Sequence, residues 1–135
     1  VGVGSDHTDR AHEAINVDQS KAMCPKPISR VVWRYEDVRD HWDSLELRSW
    51  VTDTEGRRLY QEGRLAALLG VDDLLAELRA AGHGDLRAHA VFGGTLPAIG
   101  GLVFGQRFEV ELYDPVLDRR LGCAYDVTPA GQAST

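Results

Sequence analysis

The amino-acid sequence predicts an α+β fold that is mostly β. Two observations indicate strands: apolar and polar residues alternate in "LELRSWV" and "RFEVELYD", and turn-forming residues follow both segments. A third observation is a single segment with clear helical periodicity. The chain has 135 residues, which is the size of one domain. It contains no apolar run of about 18 residues, so no membrane association is expected.

The first elements in order are the end of a strand and a helix. Residues 1–4, "VGVG", resemble the interior of a strand that has lost its beginning, so we expect sequence upstream of Val1. Ser5 or Asp6 then offers a side-chain oxygen that would cap a helix running to about Gln19.

The next segments predict three strands. The prolines of "CPKP", residues 24–27, end any helix, and the β-branched and aromatic residues 28–35 predict a strand. Residues 36–45 are typical of a short helical or turn segment. Residues 45–51 and 57–63 are then expected to pair as a hairpin, because "DTEG" between them is a turn sequence.

The clearest helix is predicted between residues 65 and 81, with Gly82 just beyond its end. Its apolar residues recur at steps of three or four: Leu68, Val71, Leu74, Leu75 and Leu78. Residues 87–95 are then predicted to form a strand that ends in a Gly-Gly-Thr turn.

The chain is predicted to close with a hairpin of residues 107–114 and 119–127, joined by the turn "PVLD". We therefore place one domain at residues 1–127 and a flexible tail at residues 128–135.

Charge and cysteine content restrict the partners and the compartment. The formal net charge of -6 argues against a nucleic-acid partner, because binding to phosphates needs a basic surface. Cys24 and Cys123 have neither the number nor the spacing of a disulfide framework or a zinc site. A cytoplasmic location is therefore predicted.

The segment "GSDHTDR" has two interpretations. Asp6 and Arg10 are one helical turn apart, so they could form an intrahelical ion pair worth roughly 0.3 to 0.5 kcal/mol. Alternatively, Asp6 lies where a strand ends and could reach a divalent cation, while Arg10 binds a substrate carboxylate. A single carboxylate does not hold Mg²⁺ by itself, because Mg²⁺ takes several oxygen ligands.

Lys21 and Thr95 leave similar alternatives open. Lys21 is either a solvated surface residue or faces the same opening as Arg10. The segment "GGTLPAIGG" is either an ordinary turn or a backbone cradle in which the Thr95 hydroxyl helps to bind an anion.

In their order along the chain, four segments resemble the C-terminal part of the catalytic core of the fumarylacetoacetate hydrolase-like superfamily. They are "GSDHTDR", "SKAMCPKP", "LELRSWVTDTEGRRLYQEG" and "AVFGGTLPAIGGLVFGQRFEVELYDPVLDRRL". The family pattern is Asn-Asp-x-Ser-x-Arg-Asp, a lysine before a proline-containing stretch, Asn-Gly-x-x-x-Gln and Gly-Thr-Pro-x-Gly-x-Gly. The resemblance covers nearly the whole chain, is closest to a bacterial branch, and implies part of a mixed β-sheet/β-roll fold. Ser5, Ala11 and Leu96 depart from the pattern.

The resemblance implies a role for five residues. Asp6 would be a metal ligand for Mg²⁺, with Mn²⁺ or Ca²⁺ as substitutes, and Lys21 would be the catalytic residue. Arg10, Gln61 and Thr95 would bind the substrate. The family places further metal-binding glutamates upstream of the Asp motif. An N-terminal half or a partner chain with those ligands is therefore expected, in a homo- or hetero-oligomer.

The function implied is part of a metal-dependent hydrolase or lyase acting on a small 2-oxo or β-dicarbonyl carboxylic acid. Hydrolysis of a C–C bond, decarboxylation, isomerisation and hydration all pass through an enolate-like state that such a site stabilises. Two alternatives remain: a noncatalytic structural or assembly subunit with the same fold, and a small-molecule binding module without turnover.

Overall fold

The computed structural model describes residues 1–129 and has an α+β fold built on one antiparallel sheet. The four strands lie in the order β2-β1-β3-β4. Their bounds are Glu46–Asp53 for β1, Gly56–Arg64 for β2, Arg107–Asp114 for β3 and Arg119–Asp126 for β4. All four were predicted from alternation and turn residues. Most of the predicted tail, residues 130–135, lies outside the described residues.

Three α-helices and three short 3₁₀ helices complete the secondary structure of the described chain. The α-helices are α1 Arg10–Glu13, α2 Val17–Ala22 and α3 Val71–Ala80. The 3₁₀ helices are Tyr35–Asp37, Arg39–Ser44 and Leu65–Ala67. No helix within residues 1–129 has the length and apolar character needed to cross a membrane.

The prediction of one helix from Ser5 or Asp6 to Gln19 is wrong. Asp9 caps α1 by accepting a hydrogen bond from the His12 N–H at 2.8 Å. Asn16 caps α2 by accepting one from the Gln19 N–H at 3.0 Å. Each cap starts a separate helix, because its side chain binds a backbone donor that a continuous helix would pair internally.

The predicted strand at residues 28–35 is also wrong. Residues 1–5 and 27–33 run side by side and share backbone hydrogen bonds, such as that from the Trp33 N–H to the Val1 carbonyl at 2.8 Å, but Gly4–Ile28 is the only β-bridge between them in the described chain. The Val3 N–H donates to the Ser29 side-chain oxygen at 3.2 Å. A hydroxyl therefore occupies the place of a backbone carbonyl and interrupts the ladder.

The predicted strand at residues 87–95 is an irregular loop. Ala88 has a φ of 60° and Gly94 a φ of 117°, and both values turn the chain out of an extended conformation. The helix predicted at residues 65–81 is confirmed in its second part, where α3 ends just before Gly82, which has a φ of 93°.

The core lies on one face of the sheet. Leu47 of β1 is opposite Leu112 of β3, which is opposite Leu121 of β4. These leucines pack with the N-terminal segment and the 3₁₀ helices in a cluster that includes Val3, Trp33, Val38, Leu45 and Leu65. Because side chains alternate along a strand, the other face carries Arg48 and Glu111 and is open to solvent. The first 45 residues therefore cover the face on which the candidate site residues lie.

Candidate functional site

A row of aromatic side chains crosses the covered face of the sheet. Tyr125 of β4 lies opposite Phe108 of β3, and their rings stack with centroids 6.0 Å apart. Phe108 also meets the ring of Tyr60 in β2, again at 6.0 Å. We call Tyr125, Phe108 and Tyr60 the aromatic row. His7 packs edge-on against Phe108 at 5.6 Å and Tyr125 at 5.7 Å, which fixes the chain that carries Asp6.

The Asp6 cluster consists of Asp6, Lys21 and Lys26. Lys21 Nζ lies 2.5 Å from Asp6 Oδ2, and Lys26 Nζ lies 3.4 Å from Asp6 Oδ1. The ammonium of Lys26 also donates to the backbone carbonyls of His7 at 2.8 Å and Cys24 at 3.0 Å, and to that of Lys21. Lys26 therefore ties the proline-containing turn to the Asp6 segment, which brings the end of α2 and Lys21 onto the carboxylate.

Electrostatics fix the charge states in this cluster. Partial burial alone would raise the pKa of Asp6, but the hydrogen bonds and positive charges of Lys21 and Lys26 lower it below its ordinary value. Burial lowers the pKa of His7, and the charges of Arg10 and Lys26 add to the effect. At neutral pH Asp6 is an anion, which makes it a weak proton acceptor and a good holder of cations.

Gln61 and Thr95 form a second contact at the β2 end of the row. Gln61 Nε2 donates to Thr95 Oγ1 at 2.8 Å and to the Leu96 carbonyl at 2.5 Å. The Ser49 hydroxyl donates to Gln61 Oε1 at 2.7 Å and so orients the amide. The Ile99 N–H donates to the Tyr60 carbonyl at 2.7 Å. The glycine-rich loop is thereby fastened to β2, with the Thr95 side chain exposed.

The five predicted site residues lie in three separate contacts, which are Asp6 with Lys21, Gln61 with Thr95, and Arg10 with Glu13. The first two pairs lie towards opposite ends of the aromatic row. The intrahelical Asp6–Arg10 ion pair is wrong, because Asp6 precedes α1 and Arg10 NH1 instead lies 2.7 Å from Glu13 Oε2.

Four further polar residues of this region escaped the sequence analysis. The Tyr125 hydroxyl donates to Ser5 Oγ at 2.7 Å, and His7 Nδ1 lies 3.1 Å from the same hydroxyl. More than a hundred residues separate Tyr125 from this segment, so no local spacing could reveal the contact. Lys26 had a local signal, because it lies between two prolines that restrict the backbone of the turn.

The donor set around Asp6 has too few oxygens for a divalent cation. Among residues 1–129, no group of three or more His, Cys, Asp or Glu side chains could hold a metal ion. Asp6 is a single carboxylate, and both of its oxygens face lysine ammonium groups. Mg²⁺ prefers about six oxygen ligands. The described residues therefore do not by themselves fit Mg²⁺, Mn²⁺ or Ca²⁺.

Comparison with known proteins identifies the family of the chain. The family model described as "Protein of unknown function (DUF2848)" matches residues 1–125, so the chain belongs to this family. No curated protein and no solved structure matches the chain.

Proposed function

We propose that the chain is part of a metal-dependent enzyme that acts on a small 2-oxo or β-dicarbonyl carboxylic acid through an enolate-like state. The proposal includes a fumarylacetoacetate hydrolase-like fold. The observation that carries it is the 2.5 Å contact between Lys21 and Asp6, which remains partly open to solvent beside the aromatic row. Hydrolysis of a C–C bond, decarboxylation, isomerisation and hydration are the reaction types that share this intermediate.

Lys21 is the residue assigned to the developing negative charge. Its ammonium has three N–H donors, of which Asp6 accepts one, and its side chain is 44% exposed. Donors therefore remain for the oxygen of an enolate. A fixed cation at that position stabilises charge that appears only in the transition state. Asp6 holds the ammonium in place.

The other assigned residues would bind the ends of the substrate. Arg10 carries a guanidinium fork that matches a carboxylate. The Thr95 hydroxyl offers a polar contact at the far end of the aromatic row, and the Gln61 amide, which donates to Thr95 and to the Leu96 carbonyl, holds it there.

The metal ligands must come in part from outside the described residues. The proposal places them on a preceding segment or on a partner chain in an oligomer, because Asp6 alone offers too few oxygens. Asp6 would then contribute one ligand.

An NMR titration of the full chain with oxalate tests the proposal, because oxalate is a planar dianion that resembles the enolate of a 2-oxo acid. We expect saturable shifts at the amides of Asp6 and Lys21. Lys21→Met should weaken binding by about tenfold or more, which is the loss typical of a charge-assisted hydrogen bond. Arg34→Met is the matched control, because Arg34 is 81% exposed. Shifts that do not saturate, or equal weakening by both variants, would contradict the proposal.

A noncatalytic assembly subunit is favoured by a different observation. Ile28, Val31 and Val32 are 57%, 65% and 64% exposed, and the first two line a 350 Å³ groove beside β4. Exposed apolar side chains next to an edge strand are typical of contacts between chains. Sedimentation of Val31→Glu distinguishes the two functions: an assembly subunit loses its oligomer, whereas an enzyme active site at Lys21 keeps its oxalate binding. A binding module without turnover would bind 2-oxo acids and form no product.

A further inference from the structure

A cleft of 370 Å³ lies between α1 and the end of the glycine-rich loop. It is lined by Arg10, Glu13, Ala14, Leu102, Val103 and Phe104. Its volume is within the range of small-ligand sites. The two walls differ, because α1 presents an ion pair and the loop presents large apolar side chains. A ligand that fills this cleft therefore needs a charged end and an apolar body.

The apolar wall is unusually exposed. Phe104 is 85% exposed and Leu102 is 64% exposed, although side chains of this size are favourably removed from water. Their positions next to each other in one cleft distinguish them from single apolar residues scattered over a surface. Covering both with an aliphatic chain would stabilise a complex.

The Arg10–Glu13 ion pair at the polar end of the cleft is weak. Arg10 and Glu13 are 38% and 35% exposed, and a surface pair of this kind contributes little to stability. Glu13 occupies one nitrogen of the guanidinium, NH1, and a ligand carboxylate can use the remaining donors or replace Glu13. Arg10 follows Asp6 by four residues, so this end of the cleft lies on the same chain segment as the Asp6 carboxylate.

We infer that this cleft binds the apolar arm of the substrate, with the carboxylate on Arg10, and that it selects 2-oxo acids with a medium-length aliphatic chain over short polar acids. The inference rests on the proposed function for the 2-oxo acid head group. Leu102 and Phe104 are then residues that determine specificity through the length of the chain.

A series of 2-oxo acids from pyruvate to 2-oxooctanoate, titrated calorimetrically into the full chain, tests the inference. Each methylene that enters the cleft should raise the affinity roughly two- to fourfold, the range expected for partial to complete burial of a CH₂ group. Amides of residues 102–104 should shift in NMR spectra with the longer acids. An affinity that does not depend on chain length would overturn the inference.

Two variants of the apolar wall and one control sharpen the test. Phe104→Ala and Leu102→Ser should each flatten the dependence on chain length, and both positions are exposed, so folding should persist. Phe92→Ala is the matched control, because Phe92 is 39% exposed and does not line the cleft. Arg10→Gln should weaken binding of every acid by a similar factor. An unchanged slope in both wall variants would overturn the inference.

The outcomes separate this inference from the proposed function. Binding that shifts Lys21 but shows no chain-length dependence rejects the cleft and leaves the proposed function standing. Binding that depends on chain length but leaves Asp6 and Lys21 unshifted supports the cleft and rejects the proposed function.

Discussion

Asp6 and Asp114 are two carboxylates with similar partners in very different surroundings. Asp114 is fully buried. Its Oδ1 lies 2.9 Å from His41 Nε2, and its Oδ2 accepts a hydrogen bond from Arg119 Nε at 3.3 Å. Oδ1 also accepts from the backbone N–H groups of Val116 at 3.0 Å and Leu117 at 3.2 Å. The side chain of Asp6, in contrast, is 28% exposed and faces two lysines.

The comparison shows what distinguishes a structural ion pair from a candidate site. Asp114 has its acceptor positions filled by groups from the β3–β4 turn, from β4 and from the 3₁₀ helix Arg39–Ser44, so it joins these elements. Asp6 holds the ammonium of Lys21, which keeps further N–H donors for a ligand, whereas Lys26 donates to three backbone carbonyls. Pairing of charges is common to both. Accessibility and unused donors are what make the Asp6 cluster a place for a ligand.

The largest effect that would test this contrast is expected at Asp114. Asp114→Ala should lower the free energy of unfolding by about 3 to 5 kcal/mol, because it removes a fully buried carboxylate that accepts from two backbone N–H groups and pairs with His41 and the partly buried Arg119. Urea denaturation measures the loss. Asp40→Ala is the control, because Asp40 lies on the 3₁₀ helix that carries His41 but is 90% exposed, and it should change stability by less than about 0.5 kcal/mol. Similar losses of unfolding free energy in Asp114→Ala and Asp40→Ala would contradict this prediction.

The second prediction concerns acid stability. Burial alone would raise the pKa of Asp114, but the contact with His41 and the backbone N–H groups of Leu117 and Val116 lower it. A carboxyl whose pKa is lower in the folded state stabilises the fold above its unfolded pKa of about 3.9. This contribution is lost as the pH falls through the folded value. Unfolding free energies measured from pH 6 to pH 2.5 should fall more steeply for the wild type than for Asp114→Asn.

A slope in Asp114→Asn as steep as that of the wild type would show that other carboxyls control acid stability. Asp6 contributes in the same direction, because its pKa is also lowered. Its share should be smaller, since solvent screens a partly exposed pair.

The third prediction separates stability from binding at Asp6. Asp6→Asn should change the free energy of unfolding by less than about 1 kcal/mol, because the ion pair is partly exposed. The same variant should lower the affinity for oxalate, because Lys21 loses the carboxylate that holds its ammonium in place. Thermal unfolding and calorimetry check the two parts. A large loss of stability would place Asp6 in the same structural class as Asp114.

The smallest effect is expected on the open face of the sheet. The guanidinium of Arg48 faces three carboxylates. Its Nε lies 3.2 Å from Glu62 Oε2, its NH2 lies 3.1 Å from Glu46 Oε2, and its NH1 lies 3.6 Å from Glu111 Oε1. Arg48→Met should cost about 0.5 kcal/mol at low salt and nothing measurable in 1 M NaCl, since solvent and ions screen exposed pairs. Denaturation at the two salt concentrations measures the difference. A salt-independent loss above 2 kcal/mol would contradict it.

The strands could be predicted because their signals are local. Alternation and turn residues identify all four strands, since each strand has one face against the core and one in water. Residues 28–35 have equally strong β propensity. They do not form a strand, because the Ser29 hydroxyl accepts from the Val3 N–H in place of a backbone carbonyl. β propensity gives no information about this side-chain contact. The split of the first helix had a local signal in Asp9 and Asn16, both good N-caps.

The site was accessible to sequence reasoning only in part. Asp6 and Lys21 lie fifteen residues apart, joined by two short helices, and their motifs could be recognised in order. The contact of His7 with Tyr125 spans 118 residues and exists because β4 ends beneath the N-terminal segment. Such contacts are products of tertiary structure. The cleft beside Arg10 likewise depends on where the irregular loop at residues 102–104 comes to lie.

The pairing of β1 with β3 has a consequence for how the chain folds. The hairpins β1–β2 and β3–β4 each close over a tight turn, whereas β1 meets β3 only after the connection at residues 65–106 has been drawn into a loop. The entropy lost on closing a loop rises only slowly with its length, but it must be lost before any contact of the seam forms. Two early hairpins and one late junction are therefore expected, and the residues of that junction should govern the folding rate.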